Sequence, residues 1–105
     1  MRQNHFDIQL TRNAEKDIKG YKGQQQRVKD EILQLEDDPY KGHTLTGSLC
    51  NVRSVEFSLP GGAHRAAYVV LEADHVCLVF LVGSHEGFYD QAKRRHSSLR
   101  KAGQI

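Results

Sequence analysis

The chain has 105 residues, of which 38% are hydrophobic, and this length supports one modest core and excludes a two-domain protein. Fifteen Lys and Arg against 13 Asp and Glu give a formal charge of only +2. Any affinity for nucleic acid must therefore come from where the basic residues cluster and not from their total. We predict a single domain over residues 1–105.

The sequence shows no signal peptide, lipidation motif or apolar run long enough to span a membrane, so we expect a cytoplasmic protein without membrane contact. Cys77 lies in an apolar run and Cys50 in a predicted loop. Neither has a basic motif beside it, which disfavours a catalytic thiol. The six histidines show no zinc-finger spacing, which disfavours a structural zinc site.

The N-terminal half has the pattern of a strand followed by two helices. Apolar and polar residues alternate first, which predicts a strand over residues 4–10. Thr11 can cap the helix that follows. Apolar residues then recur at helical spacing in two segments separated by glycines: Ala14, Ile18 and Tyr21, then Val28, Ile32 and Leu35. We predict a helical hairpin that Pro39 ends.

The middle of the chain predicts a loop and an antiparallel pair of strands. Residues 39–51 contain a proline, two glycines and little periodicity, as in a loop. Alternation after this loop predicts a strand whose polar face carries Glu56. A glycine turn at 60–62 returns the chain as a strand over 64–71, which brings Arg65 opposite or diagonal to Glu56.

The C-terminal part predicts a buried strand and a basic helix. Residues 76–82 are apolar on both alternating sets, as in a central strand covered on both faces. Gly83 and Ser84 end this strand, and Ser84 can cap a helix from about Glu86 to Ala102. The predicted class is α+β: an N-terminal strand, a two-helix hairpin, three further strands of a mainly antiparallel sheet and a C-terminal helix.

The predicted strands and the last loop carry acidic, cationic and imidazole side chains, which are the types of group that RNA cleavage requires. Attack by the RNA 2′-hydroxyl requires a base that removes its proton, a cation that stabilises the crowded phosphorane and an acid that protonates the departing 5′ oxygen. Glu56, Arg65 and His85 supply these types of group. Glu56 is the first choice for the base.

Three segments and the order of the elements resemble the RelE/ParE superfamily of bacterial type II toxins. The segments are the loop 39–47, the strand end 64–68 and the stretch 82–95 that enters the last helix. The resemblance covers roughly residues 4–101 and implies a RelE-like fold. In that superfamily the RelE branch cleaves mRNA on the ribosome, and the ParE branch inhibits DNA gyrase.

The resemblance implies roles for matching residues. Arg65 matches an arginine that interferases of the family place on the scissile phosphate, and its planar fork suits that oxyanion. His85 matches a position that often holds a catalytic arginine or histidine, and would be the general acid. Tyr89 would stack on a base or orient the phosphate, and no metal or organic cofactor is then needed. The predicted RNA-binding residues are His43, Arg53, His64, Lys93, Arg94 and Arg95.

Each candidate has an ordinary structural alternative. Glu56 and Arg65 are also consistent with a simple cross-strand ion pair, and His85 with a surface histidine, although the site role is favoured for all three; a loop histidine such as His43 is usually a surface residue. Simple alternation turns Arg53 away from Glu56, unless a bulge in the strand brings it back. The cations of the last helix suit a solvated helix end as well as a phosphate site.

Three functions therefore remain open: an mRNA interferase, an inhibitor of DNA gyrase without chemistry, and an inactive binding module of the same fold. Glu56 favours the first. Some ribosome-dependent relatives carry lysines on the strand that here carries Ser54, Glu56 and Ser58, so RNA cleavage is better supported than ribosome binding. The resemblance also implies a cognate antitoxin on a separate chain, with acidic stretches that pair with the basic helix, and mRNA and the ribosome as further partners.

Overall fold

A computed structural model describes residues 5–105. In chain order they form β1 (Asp7–Leu10), α1 (Arg12–Lys19), α2 (Gln25–Leu33), β2 (His43–Thr44), β3 (Arg53–Leu59), β4 (Gly62–Leu71), β5 (Val76–Ser84) and α3 (Phe88–Lys101), with 3-10 turns at Gln34–Glu36, Gly47–Leu49 and Glu72–Asp74. The strands make one sheet in the order β1-β5-β4-β3-β2. β1 runs parallel to β5 and the other neighbours are antiparallel, which confirms the predicted α+β class.

The boundaries of several elements differ from prediction. The first strand begins at Asp7, and position 4 of the predicted strand lies outside the described residues. The predicted loop 39–51 contains β2, a strand of only two residues. Ser84 does not cap α3, because it still pairs with His64 in the sheet. Gly87 holds the N-cap position instead, with a φ of 67° that favours glycine.

The sheet separates two apolar clusters. Helices α1 and α2 cover one face, where Ile18, Val28 and Ile32 pack against the inward side chains of β3 and β4. Helix α3 and the Gly47–Leu49 turn cover the other face. Strand β5 contributes buried side chains to both clusters, as its two-sided apolar pattern predicts.

Cys77 belongs to the core of β5. Its side chain is fully buried, and burial raises the pKa of the thiol to about 11. The thiol is therefore neutral near pH 7 and acts as a small apolar side chain. None of the helices formed by residues 5–105 is long and apolar enough to cross a membrane.

An ion pair between Asp17 and Arg95 joins the two helical layers around the end of the sheet. β1 pairs with β5 only as far as Val79, so the Val82 N–H lies beyond the last paired residue of β1. Asp17 Oδ2 accepts a hydrogen bond from this N–H at 2.9 Å and another from Arg95 Nη1 at 2.5 Å. Arg95 Nη1 also donates to the Phe80 carbonyl at 3.1 Å. One carboxylate thus holds α1, β5 and α3 together.

Loss of the Asp17 carboxylate should destabilise the fold. We expect Asp17→Ala to lower the free energy of unfolding by about 2–4 kcal/mol, because the Arg95 guanidinium and the Val82 N–H lose their acceptor in a partly buried site. Glu15→Ala removes an exposed carboxylate from the same helix and should change this free energy by no more than about 0.5 kcal/mol. Denaturant unfolding measures both, and equal values for the two variants would contradict the role of Asp17.

Candidate functional site

Glu56 and Arg65 lie directly opposite each other on β3 and β4. Arg65 Nη2 is 3.6 Å from Glu56 Oε1, and the side chains are 30% and 58% exposed respectively. Both lie on the α3 side of the sheet, because Phe57 and its alternating neighbours fill the cluster under α1 and α2. The carboxylate and the guanidinium therefore meet on an accessible surface, as predicted.

His43 joins this pair. It is opposite Ser54 in the short ladder between β2 and β3, and directly opposite residues of antiparallel strands project to the same face. A cleft of about 170 Å³ is lined by His43, Leu45, Ser54, Glu56 and Arg65, and we call it the Glu56 cleft. An acid, a guanidinium and an imidazole thus line one recess.

His85 lies near the β5 side of Arg65. Gly83 is the residue of β5 that pairs with Arg65, and His85 follows two residues later in the exposed loop before α3. A Cβ added at Gly83 would meet no atom within 4 Å, so the space beside Arg65 is open. The backbone therefore places His85 at the same end of the sheet as the Glu56 cleft.

Tyr89 connects α3 to the loop that borders the cleft. Its hydroxyl donates to the Thr46 carbonyl at 2.9 Å, while 38% of the residue remains exposed. The Lys93 ammonium is 5.7 Å from the centre of the Tyr89 ring. Lys93 and Arg94 are both exposed on the helix. The Tyr89 hydroxyl thus has a structural partner, and the exposed ring is the part that could stack on a base.

His64 does not belong to the Glu56 cleft. It pairs with Phe57, and because side chains alternate along β4 it lies on the face opposite to Arg65. His64 Nδ1 is 2.8 Å from the Tyr21 hydroxyl, and the two rings are in edge contact with centroids 5.1 Å apart. The side chains of His64 and Arg65 therefore lie on opposite faces of the sheet, and the role of His64 as an RNA ligand stays a prediction.

Arg53 and Arg95 are engaged in structural contacts. β3 pairs with β4 without a bulge from Arg53 to Leu59, so simple alternation holds and Arg53 faces away from Glu56. Its guanidinium donates to the Gly42 carbonyl at 2.6 Å and stacks over Tyr40 at 4.9 Å. The guanidinium of Arg95 is paired with Asp17. Both guanidiniums thus make contacts within the fold, and their role as RNA ligands stays a prediction.

A buried tyrosine holds the loop that carries His43. The Tyr68 hydroxyl donates to the Pro39 carbonyl at 2.8 Å and accepts from the Gly42 N–H at 3.0 Å. Burial raises the pKa of Tyr68, so this hydroxyl stays protonated. A Cβ at Gly42 would lie 2.6 Å from the Ser54 carbonyl, so only glycine lets the loop approach β3 this closely. The sequence predicts Tyr68 as a core residue, which is confirmed, but not its hold on the loop.

The family of the chain follows from comparison with known proteins. The family model of the ParE-like toxin of type II bacterial toxin-antitoxin systems matches residues 8–93. The chain belongs to this family and is a toxin of the RelE/ParE superfamily, as its motifs predict. No curated protein matches the chain significantly in sequence.

Solved structures share the fold at low sequence identity. A mutant of the E. coli toxin RelE in the free state has a TM-score of 0.69 and 17% identity, covering 87% of this chain and 97% of that one. The RelBE2 toxin-antitoxin complex from Mycobacterium tuberculosis gives 0.66 and 15%, covering 77% and 99%. A conserved hypothetical protein from Helicobacter pylori gives 0.51 and 19%, covering 79% and 98%. These similarities establish a RelE-like fold.

Removal of the Tyr68 hydroxyl should loosen the loop that carries His43. We expect Tyr68→Phe to lower the free energy of unfolding by about 1–3 kcal/mol, because it leaves the buried Gly42 N–H and Pro39 carbonyl without a partner. Hydrogen exchange at the Gly42 amide should accelerate more than at amides of β5. Tyr40→Phe removes an exposed hydroxyl bonded to Glu72 and is the matched control, expected within about 0.5 kcal/mol. Unchanged exchange at Gly42 would contradict this role of Tyr68.

Proposed function

We propose that the chain is a metal-independent endoribonuclease that cleaves mRNA on the ribosome and requires no organic cofactor. The observation that carries this proposal is the Glu56 cleft, where a carboxylate, a guanidinium and an imidazole converge on an accessible surface. His85 lies beside the same end of the sheet. These are the types of group that cleavage by the RNA 2′-hydroxyl needs.

The proposed reaction includes two proton transfers, one from the attacking 2′-hydroxyl and one to the departing 5′ oxygen. Glu56 accepts the 2′-hydroxyl proton, and the 2′ oxygen attacks the adjacent phosphorus. Arg65 donates hydrogen bonds to the phosphorane oxygens as negative charge accumulates there. The bond to the 5′ oxygen then breaks, and protonated His85 gives that oxygen its proton. The products are a 2′,3′-cyclic phosphate and a free 5′-hydroxyl.

The remaining polar groups would hold the RNA strand. His43 shares the cleft and would contact the scissile phosphate or its neighbour. The exposed ring of Tyr89 would stack on a base, with Lys93 close to its face. Lys93 and Arg94 project from α3 and would contact the RNA backbone. His64, Arg53 and Arg95 have no part in this proposal because their side chains are engaged elsewhere.

A cognate antitoxin on a separate chain is the proposed regulatory partner. Similar structures include RelBE toxin-antitoxin complexes from E. coli and Mycobacterium tuberculosis, and a RelE mutant in complex with an antitoxin peptide. The exposed cations of α3 would attract acidic segments of the antitoxin: Lys93, Arg94, Arg100 and Lys101. Such charge complementarity speeds association and selects the partner.

Inhibition of DNA gyrase is the second candidate function, because the matching family is described as ParE-like. This function needs a binding surface and no acid or base. It predicts that growth arrest survives Arg65→Ala and His85→Ala and disappears when α3 is truncated. Damaged DNA topology with intact mRNA after induction would support it.

Substitutions in the Glu56 cleft should abolish RNA cleavage without unfolding the chain. We expect Arg65→Ala to lower the single-turnover rate of mRNA cleavage on ribosomes by roughly 10²–10³, because the phosphorane loses its cation. Glu56→Gln and His85→Gln should each lower it by roughly 10²–10⁴. In cells, mapping of new RNA 5′ ends after induction should show fewer cuts within translated codons for each of these variants than for the wild type.

The matched control for the arginine substitution is Arg27→Ala, which removes an exposed guanidinium on α2 from the face opposite the cleft. It should leave cleavage unchanged. Circular dichroism would verify that every variant keeps the fold. If Arg65→Ala cleaved mRNA as fast as Arg27→Ala, the proposed mechanism would be overturned.

A further inference from the structure

A second cleft lies between the Gly47–Leu49 turn and α3. Its volume is about 520 Å³, and we call it the His96 cleft. Its lining includes three cations and no carboxylate among the described residues. The polar lining residues are Ser48, Lys93, His96, Ser97, Arg100 and Lys101. The cleft is therefore a concave and uniformly positive surface.

His96 marks this cleft because one nitrogen of its imidazole is buried without a hydrogen-bond partner among the described residues. The residue is only 5% exposed, and its Nε2 has no hydrogen-bond partner among residues 5–105. A buried ring nitrogen in this condition is rare and costly, since it has lost water and gained nothing in exchange. Burial and the nearby Arg100 also lower the pKa of His96. An anion that entered the cleft would relieve both the missing hydrogen bond and the local excess of positive charge.

The His96 cleft continues the surface of the Glu56 cleft. Tyr89, Lys93, Ser97 and Arg100 recur at three- and four-residue intervals and so form one exposed stripe of α3, about 17 Å long at 1.5 Å per residue. Lys93 lies over the Tyr89 ring and also lines the His96 cleft. The adjoining loop bonds Tyr89 through Thr46 and lines the His96 cleft through Ser48. One strand of nucleic acid could therefore contact both clefts along this stripe.

We propose that the His96 cleft is a phosphate subsite, which holds the backbone of the same RNA strand at a phosphate remote from the one bound by Arg65. The choice of RNA as the ligand rests on the proposed function. A row of cations suits the regularly spaced charges of a single strand. An amphipathic peptide helix would need several apolar anchors along the groove, whereas Leu49 is the one apolar residue among the described residues that line this cleft.

The test measures binding separately from cleavage. A 2′-O-methyl RNA oligonucleotide lacks the attacking hydroxyl, so its affinity for the full chain is independent of catalysis. Lys93→Ala/Arg100→Ala should weaken binding roughly tenfold and reduce the slope of log K against log salt by about 1.4, at roughly 0.7 for each lost phosphate contact. The control Lys16→Ala/Lys29→Ala removes two exposed cations from α1 and α2, on the opposite face, and should retain the wild-type slope.

NMR titration of the His96 ring gives a second readout. The charged residues that line the cleft with His96 are Lys93, Arg100 and Lys101, and Cys50 and Ile105 line an adjoining recess with it. The Phe80 ring lies on the sheet side, with its centroid 6.3 Å from that of His96. The oligonucleotide should shift the ring resonances and raise the pKa of His96 towards its ordinary value, because a phosphate stabilises the charged imidazole. The double variant of Lys93 and Arg100 should reduce both effects.

The outcomes separate this subsite from the proposed nuclease. The subsite would be overturned if the Lys93/Arg100 variant kept the wild-type slope of log K against log salt and the oligonucleotide did not shift the His96 resonances. This conclusion would hold even if the chain cleaves mRNA. His96 shifts with an acidic peptide but not with the oligonucleotide would overturn RNA as its ligand. If the oligonucleotide shifts His96 and the slope falls while no RNA is ever cleaved, the subsite is supported and the nuclease proposal fails.

Discussion

The two-residue turn between β3 and β4 decides which side chains meet at the candidate site. Leu59 and Gly62 pair on either side of it, and Gly61 adopts a φ of 100° that favours glycine. Pairing continues outward from this turn without interruption, so Glu56 must oppose Arg65. A slip of one residue would send one of these two side chains to the other face of the sheet. The convergence of acid and guanidinium thus depends on a tight turn several residues away.

Much of this arrangement follows from local sequence rules. Period-2 alternation and the glycine turn predict both the strand pair and the meeting of Glu56 with Arg65, and the structure contains both. The same alternation predicts that His64 faces away from Arg65, since neighbouring residues of a strand project to opposite faces. His64 accordingly lies outside the Glu56 cleft, although it directly precedes Arg65 in the chain. Arg53 follows the same alternation, because β3 has no bulge and the Arg53 side chain therefore faces away from Glu56.

The parts that sequence could not predict depend on tertiary contacts. β2 is two residues long, too short for a periodic pattern, so His43 is indistinguishable from any loop histidine before its strand pairs with β3. Arg95 belongs to a basic run that suggests phosphate binding, yet it pairs with Asp17, 78 positions away. Its spacing from Phe88 and Ala92 puts Arg95, unlike the exposed Arg94, on the sheet-facing side of α3, but no local pattern indicates Asp17 as its partner. The difference arises from the rotation of α3 against the sheet, which is set by packing.

One side of helix α3 packs against the sheet, and the other side exposes basic side chains. Phe88, Ala92 and His96 are buried against the sheet, while Tyr89 and Lys93 on the neighbouring stripe remain accessible. The modest net charge of +2 is compatible with RNA binding because cations gather on this accessible stripe. An antitoxin segment lying along the stripe would cover the entrance to both clefts together. Under the proposed function it would block RNA without touching the Glu56 carboxylate, so inhibition and the proposed catalysis would depend on different residues of the same surface.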